Sequence, residues 1–360
     1  MPSSVHIDSF RRWSGGQAQS LGLALALAAR GEETYFMAQR GSELESHLNR
    51  TYLSWEARQL RGLSGLRSAR RLAIRLRELD PDIVHIHESA SHIAAGMAAR
   101  LARKPKIVVT RRTERSVRSG WAGVGKYRLW CDKLICVSEA IRQRYLDAGL
   151  SEKLLAVIPD FVDCRHFDPA AALSRDPAGP PTVVIVGQLS ADKGHRVLLR
   201  AMRDVIKRLP GARLRIVGEG EEGSSLRRQV QALGLDSHVE FAGFLPDVRS
   251  AMAQAEVFVQ PSLREGLGLA VLEAMAMARP VVVSDAGGLP ESVAHGETGL
   301  VVPAGDAGAL ANALVNLLSD RGRAKQMGVA GRERALAHYD RPRIVERVIA
   351  LYEDVLEETS

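Results

Sequence analysis

The chain has 360 residues, of which 46% are hydrophobic and 25% charged, with a formal net charge of +7. These are ordinary globular values, and the length is above the usual size of one core, so about two domains are expected. No apolar run approaches the ~18 residues of a membrane span, no signal peptide is visible at the start of the chain, and Cys131, Cys136 and Cys164 have neither metal spacing nor the look of a disulfide framework; membrane-spanning and disulfide-stapled classes are set aside, and a cytoplasmic protein is expected.

Strands and helices alternate along the chain. Val5-His6-Ile7 reads as a first strand, Ser14-Gly15-Gly16-Gln17 as a turn, and Ala18 to Ala29 as a helix ending at Gly31. Thr34 to Ala38 is a predicted strand, and Asp82 to His87 is another, entered through Pro81. Ser91 to Arg103 is a predicted helix, Lys106 to Thr110 and Lys133 to Val137 are strands, and Glu139 to Ala148 is a helix. The run Asp176-Pro177-Ala178-Gly179-Pro180-Pro181 marks 169–181 as a linker, and the alternation restarts at Val183. Such alternation implies parallel sheets with right-handed crossovers. The expected fold is α/β, with two Rossmann-like domains, 1–168 and 182–342, facing across a cleft. Arg343 to Glu357 is an amphipathic helix with Ile344, Val348, Leu351 and Val355 on one face.

Charge is unevenly divided. The first 175 residues hold 28 basic and 18 acidic residues, a net of +10, and the rest hold 21 and 24, a net of −3. One basic cluster is Arg58, Arg61, Arg67, Arg70, Arg71, Arg75 and Arg77, interleaved with Leu60, Leu63, Leu66, Leu72 and Leu76. A second is Arg100, Arg103, Lys104, Lys106, Arg111, Arg112, Arg115 and Arg118. A basic amphipathic segment suits an anionic membrane surface or an anionic acceptor; a solvated basic face is the alternative. Nucleic acid is disfavoured, because no nucleic-acid motif appears and no aromatic residues interleave with the arginines.

The most specific stretch is Arg264-Glu265-Gly266-Leu267-Gly268-Leu269-Ala270-Val271-Leu272-Glu273. It follows a strand, Val257 to Gln260, and leads into a helix with Leu269, Leu272, Met275 and Ala276 on one face. Glycines let backbone N–H groups approach a ligand, and a helix start favours an anion such as a diphosphate. Carboxylates are poor neighbours for phosphate but good acceptors from hydroxyls. Glu273 is therefore placed to reach a ribose and Glu265 a second polyol beyond the diphosphate. A sugar, a diphosphate and a ribose make a nucleotide sugar.

This arrangement resembles the Glu-x7-Glu signature of retaining glycosyltransferases of the family-four type. Further segments are similar to the same family in the expected order: Val184 to Gly194, Ile216-Val217-Gly218-Glu219-Gly220, Val239 to Phe244, Pro280 to Glu291 and Gly296 to Val301. The resemblance implies a GT-B fold whose last helix, 343–360, packs back on the first domain. It implies Lys193 as the phosphate lysine, Glu265 as a catalytic residue and Glu273 as the ribose ligand. Gly15 and Gly16 become the first-domain turn near the diphosphate. Gln188, Gly218, Phe244, Arg264, Gly266, Leu267, Gly268 and Leu269 become donor-binding positions. Two positions depart from the family pattern. Gln188 stands where an arginine is common, with Arg264 as its possible replacement. Arg112 stands at the place of a site histidine; it stays protonated and so is no base, but it suits sugar, phosphate or an anionic acceptor.

His85 and His87 share a face of their strand. A packing or hydrogen-bonding role is expected for His85, and either a site role or packing for His87, with Glu88 and Ser89 beside it. No metal-ligand constellation appears, since Asp80-Pro81-Asp82 reads as a turn, so no metal and no cofactor are expected. The expected activity is transfer of a sugar from a nucleotide diphosphate sugar to an anionic glycan or glycolipid acceptor. Bacterial cell-envelope polysaccharide or lipopolysaccharide synthesis is the expected setting, peripheral to the inner face of the membrane. A nucleotide-sugar epimerase or hydrolase of the same fold, or a degenerate nucleotide-binding scaffold, is the alternative.

Overall fold

The computed structural model describes residues 2–60, 66–113, 121–170 and 179–358. They fall into two compact units, Met1–Asp160 with Arg341–Ser360, and Phe161–Asp340. The first contains strands β1 (Ser4–Asp8), β2 (Thr34–Gln39), β3 (Ser54–Arg58), β4 (Ile83–Ile86), β5 (Lys106–Arg111), β6 (Lys133–Cys136) and β7 (Leu155–Val157). Helices α1 (Gly15–Ala29), α2 (Glu43–Leu48), α3 (Leu66–Leu79), α4 (His92–Ala102), α5 (Trp121–Leu129) and α6 (Glu139–Asp147) connect them. The sheet order is β3-β2-β1-β4-β5-β6-β7, and every pairing is parallel. All residues of β1 and β4 are buried, as in parallel strands covered by helices on both faces.

The second unit contains β8 (Thr182–Val186), β9 (Arg213–Val217), β10 (Val239–Gly243), β11 (Val257–Gln260), β12 (Val281–Ser284) and β13 (Gly299–Val302). Its helices are α7 (His195–Arg208), α8 (Gly223–Ala232), α9 (Arg249–Ala253), α10 (Leu269–Ala276), α11 (Leu289–Ser292), α12 (Ala307–Ser319) and α13 (Arg321–His338). The order is β10-β9-β8-β11-β12-β13, again all parallel. The last helix, α14 (Arg341–Glu357), belongs to the first unit and buries Ile344, Val345, Val348, Leu351, Tyr352 and Val355.

The units divide at Asp160, ahead of the boundary expected at 168. Val162 N donates to Tyr339 O at 2.8 Å and Cys164 N to Asp340 Oδ1 at 3.2 Å, which ties the segment after Asp160 to the second unit. Of the expected linker, 171–178 lie outside the described residues, as do Arg61, Leu63, Arg115 and Arg118 of the two basic clusters. Among the described residues, no helix is long and apolar enough to cross a membrane.

In each sheet the strand order reverses once, between β1 and β4 in the first and between β8 and β11 in the second. The chain leaves the carboxyl ends of those neighbours in opposite directions. The crevice this creates is where open α/β sheets bind ligands.

Candidate active site

In the second unit the loops after β8 and β11 meet. Gly194 has φ +71°, and a Cβ there would lie 1.8 Å from the carbonyl oxygen of Pro261. Only glycine lets the β8 loop rest on the end of β11. The preceding residue is thereby held at the switch point: Lys193 Nζ donates to Glu265 Oε2 at 2.6 Å. The two side chains are 27% and 12% exposed. Ser262 Oγ donates to the same Oε2 at 3.0 Å, and Gln260 Nε2 donates to Ser262 Oγ at 2.9 Å. The carboxylate is therefore aimed by a short chain of hydrogen bonds growing out of β11.

Gly266, Leu267 and Gly268 are buried and turn the chain into α10. Gly268 caps the helix with φ +92°, where a Cβ would lie 2.6 Å from Leu289 Cδ2. Leu269 opens α10, where Val271 N and Leu272 N donate to Gly268 O at 2.9 and 3.2 Å, so the amides of the helix start belong to the end of this loop. Glu273 sits one turn further on. Burial alone pushes its carboxyl up to about 8, with no charge or hydrogen bond acting on it. It is the only carboxyl of the Arg264–Glu273 stretch left in that condition, since Glu265 is paired.

The remaining sequence-predicted residues take several positions. Gln188 is exposed after β8. Gly218 N, after β9, donates to Gly243 O at 2.7 Å, and Phe244 follows β10 with 57% of its surface exposed. Arg264 turns to Asp192 at 2.6 Å and is 59% exposed. Asp192 O also accepts from Leu263 N at 2.7 Å, so Asp192 clamps the start of the β11 loop. Asp192 and Ser262 were not singled out from the sequence; their adjacency to Lys193 and Glu265 was the available signal.

In the first unit, α1 begins at Gly15, with Ser14 O accepting from Gln17 N and Ala18 N at 3.0 Å. A Cβ on Gly16 would meet nothing closer than Ser14 Oγ at 3.8 Å, so packing within the unit does not demand glycine there. His85, on β4, and His87, just after it, lie beside His6 of the neighbouring β1, which sequence reading passed over. His85 is fully buried, with Nδ1 2.6 Å from Tyr352 Oη and Nε2 2.6 Å from Thr110 Oγ1. His87 is 5% exposed, and its Nε2 lies 2.9 Å from His6 Nδ1, while His6 Nε2 lies 3.2 Å from Ser4 Oγ.

Burial, helped by the neighbouring Arg112, holds His6 at about 3 and keeps His85 and His87 well below the ordinary imidazole range. Each of the three rings offers a nitrogen within 4.8 Å of the others. Both nitrogens of His85 are already bonded, however, and His6 and His87 bond each other. Of the six ring nitrogens only His87 Nδ1 has no hydrogen-bond partner, so a metal would have to displace the bonds of His6 and His85, and the charge of Arg112 acts on the same rings.

Arg112 follows β5, and its Nε donates to Asp160 Oδ1 at 2.7 Å. Glu88 accepts from Ser9 Oγ at 2.5 Å, from Ser91 N at 2.8 Å and Ser91 Oγ at 2.5 Å, and from Ala90 N. Those donors occupy the carboxylate and lower its pKa despite burial, so Glu88 organises the loop after β4. Ser89 Oγ accepts from Lys126 Nζ at 2.8 Å.

Residues 180–320 match the family described as glycosyl transferases group 1, and residues 13–166 match glycosyltransferase family 4. The GDP-mannose-dependent alpha-(1-6)-phosphatidylinositol monomannoside mannosyltransferase of Mycolicibacterium smegmatis is 37% identical over 223 residues, covering 58% of this chain and 58% of that enzyme. The aligned part therefore spans little more than half of that relative. The phosphatidyl-myo-inositol mannosyltransferase of Mycobacterium leprae is 34% identical over 285 residues, covering 77% of this chain and 74% of that enzyme. A crystal structure of a glycosyltransferase from Rickettsia africae superimposes with a TM-score of 0.88 at 19% identity, over 99% of this chain and 98% of that one. It shares the fold, two Rossmann-like units of the GT-B type.

Proposed function

The chain belongs to the group 1 glycosyl transferases of glycosyltransferase family 4, and from there we propose that it moves a sugar, with retention, from a nucleotide diphosphate sugar to a glycan or glycolipid acceptor. The observation that carries this reading is the Lys193–Glu265 pair at the β8/β11 switch point, next to the Gly266–Gly268 turn and the unpartnered Glu273. As the bond from the sugar to the diphosphate breaks, charge grows on the leaving group. Lys193 and the start of α10 then stabilise the transition state more than the ground state. A fixed lysine supplies here what a divalent cation supplies elsewhere, so the reaction needs no metal. Glu265 accepts from a hydroxyl of the transferred sugar, and Glu273 accepts from the ribose. GDP-mannose is the first donor to test, because it is the donor named for the mannosyltransferase relative.

The experiment is a titration of GDP, UDP and ADP, and of their sugars, followed by thermal shift and calorimetry. The Glu273 carboxyl, held up to about 8 in the free protein, is mostly protonated at pH 7. Ribose hydroxyls donate to the carboxylate form, so binding should release close to one proton. Affinity should therefore fall as pH drops below 8, by close to tenfold per unit below about pH 7. Glu273→Gln should weaken nucleotide binding and remove this dependence. An affinity flat between pH 6.5 and 8 in the unaltered protein would defeat the ribose assignment.

Membrane contact is part of the same proposal. Arg70, Arg71, Ile74 and Arg77 are exposed on α3, whereas Arg75 is paired with Glu56 at 3.3 Å and Glu78 at 2.9 Å. At ~1 kcal/mol per basic residue near an anionic surface, Arg70→Glu with Arg71→Glu should weaken cosedimentation with phosphatidylserine liposomes by tenfold or more. The difference should shrink as salt rises. Equal binding of the two proteins would mean that α3 is simply a solvated face.

A further inference from the structure

The site around Lys193 continues along the sheet edge. The stem of Lys193 runs past Gly187, where a Cβ would meet its Cγ, Cδ and Cε at 3.9 Å. Gly187 N donates to Val217 O at 3.0 Å, and Leu189 N to Glu219 O at 3.0 Å, so the loop after β8 is stitched to the loop after β9. Gly218 takes φ +132°, and a Cβ there would lie 2.0 Å from Gly187 O; without glycine the two loops could not touch. Gly218 N in turn donates to Gly243 O at 2.7 Å, which brings in the loop after β10. The sheet order β10-β9-β8-β11 thus leads in one direction, from the Lys193–Glu265 pair to Glu219 and Phe244.

Glu219 is exposed, and among the described residues its carboxylate meets no cation; its one polar neighbour is Phe244 N, 3.5 Å from Oε1. Phe244 keeps 57% of its surface exposed. Phe241 has Arg227 over its ring, 4.3 Å from the centroid, whereas neither a ring nor a cation covers Phe244 among the described residues. A single exposed apolar residue is ordinary. An open aromatic face beside an unpaired acceptor, at the carboxyl edge of an α/β sheet, is the combination that holds a flat heterocycle: the ring stacks and the carboxylate takes its edge. The edge selects the base. A carboxylate only accepts, through two oxygens. Guanine presents two adjacent donors, N1–H and the N2 amine, and fits it bidentately. Uracil presents one N–H between two carbonyl acceptors, and adenine an amine beside a bare ring nitrogen, so each sets a lone pair against the carboxylate.

We propose that Glu219 and Phe244 select guanine as the base of the donor, Glu219 by accepting from N1–H and the N2 amine, Phe244 by stacking on the ring. This rests on the glycosyl-transfer reading and adds a specificity-determining residue, Glu219, to it.

The test is calorimetry with the full chain at fixed pH, using GDP, inosine diphosphate, UDP and ADP. Inosine keeps N1–H and lacks only the N2 amine, so the ratio of GDP to inosine diphosphate affinity isolates the second hydrogen bond. GDP should bind about tenfold or more tighter than each of the other three. Glu219→Gln should bring the GDP to inosine diphosphate ratio down to about threefold or less, while UDP affinity stays within about threefold and reports that the site is still folded. Glu221→Gln, which removes an exposed acid of the same loop, should leave the ratio unchanged. Phe244→Ala should weaken GDP and inosine diphosphate alike, by about fivefold or more, because stacking does not sense the edge. A ratio near one in the unaltered protein, or a ratio that survives in Glu219→Gln, overturns the assignment of Glu219; unchanged GDP affinity in Phe244→Ala overturns that of Phe244. Tighter binding of UDP or ADP than of GDP overturns the choice of guanine and leaves the glycosyl-transfer reading standing. If no nucleoside diphosphate binds, that reading falls as well.

Discussion

Glu265→Ala is expected to lower turnover by about 10²- to 10³-fold, the scale found for removing one well-aimed polar group from a transition-state site, while nucleotide diphosphate binds as well as before or better. Glu265 Oε2 takes both the Lys193 ammonium, at 2.6 Å, and the Ser262 hydroxyl, at 3.0 Å. In the resting site the lysine is thus held by a carboxylate. When a donor enters, its diphosphate competes for Lys193, and Glu265 is freed to accept from the sugar. Removing the carboxylate leaves the lysine wholly to the phosphates, so diphosphate affinity is retained. What is lost is alignment of the sugar, and that appears in kcat. Glu265→Gln keeps the shape and one acceptor oxygen but not the charge, and should fall between the two. The measurement is kcat and KM with a donor found by the nucleotide titration, together with the GDP dissociation constant. A kcat within threefold of the unaltered enzyme would remove Glu265 from the chemistry. A loss of GDP affinity equal to the loss of kcat would make it a structural residue.

What could be read from the sequence follows the physics of each part. Strands β4, β11 and β12 are short, mostly apolar and buried along their length, and β8 is buried at its centre, so composition alone announces them. β3 went unread because it is an edge strand, Ser-Trp-Glu-Ala-Arg, partly exposed along its length and without an apolar run. β7 has three residues and follows a short helical turn, which leaves no period to detect. The loop from Glu265 to Glu273 was legible because glycines and acids in a fixed frame carry their chemistry locally. Lys193, 72 residues away, came only through the family resemblance, as a phosphate lysine, and its pairing with Glu265 was not read because the contact is not local. Asp160 has no local signature either, and Asp192 and Ser262 had only their nearness in sequence to Lys193 and Glu265: each acts by a contact that exists only once the sheet is folded. The same holds for His6. A histidine in an apolar strand reads as packing, and only the β1–β4 register, His6 beside His85, shows that it anchors a three-ring network.

That network should make the first unit sensitive to acid. His6 and His92 are held at about 3, and His85 and His87 well below the ordinary value. In the unfolded chain each returns to about 6.5. Above that value neither state binds the protons and stability is constant. As pH falls through 6.5 the unfolded chain takes up four protons that the fold refuses, so stability is lost downward from 6.5 toward the folded values. Asp8 works in the opposite sense, because burial raises its carboxyl and the fold binds that proton first; it returns at most one proton's worth. About three protons remain, a slope approaching 4 kcal/mol per pH unit well below 6.5. Between pH 7 and pH 5 the loss is several kcal/mol, on the order of magnitude of this slope, a large share of the stability of a typical domain. Scanning calorimetry and circular dichroism from pH 8 to pH 5 should therefore show the first unit unfolding near pH 5. His6→Gln with His87→Gln removes two of the four titrating groups, so the variant should lose stability less steeply with acid, even if it is less stable at pH 7. A melting temperature unchanged between pH 7 and pH 5.5 would mean that the rings are protonated in the fold, with an anion or water present to receive them.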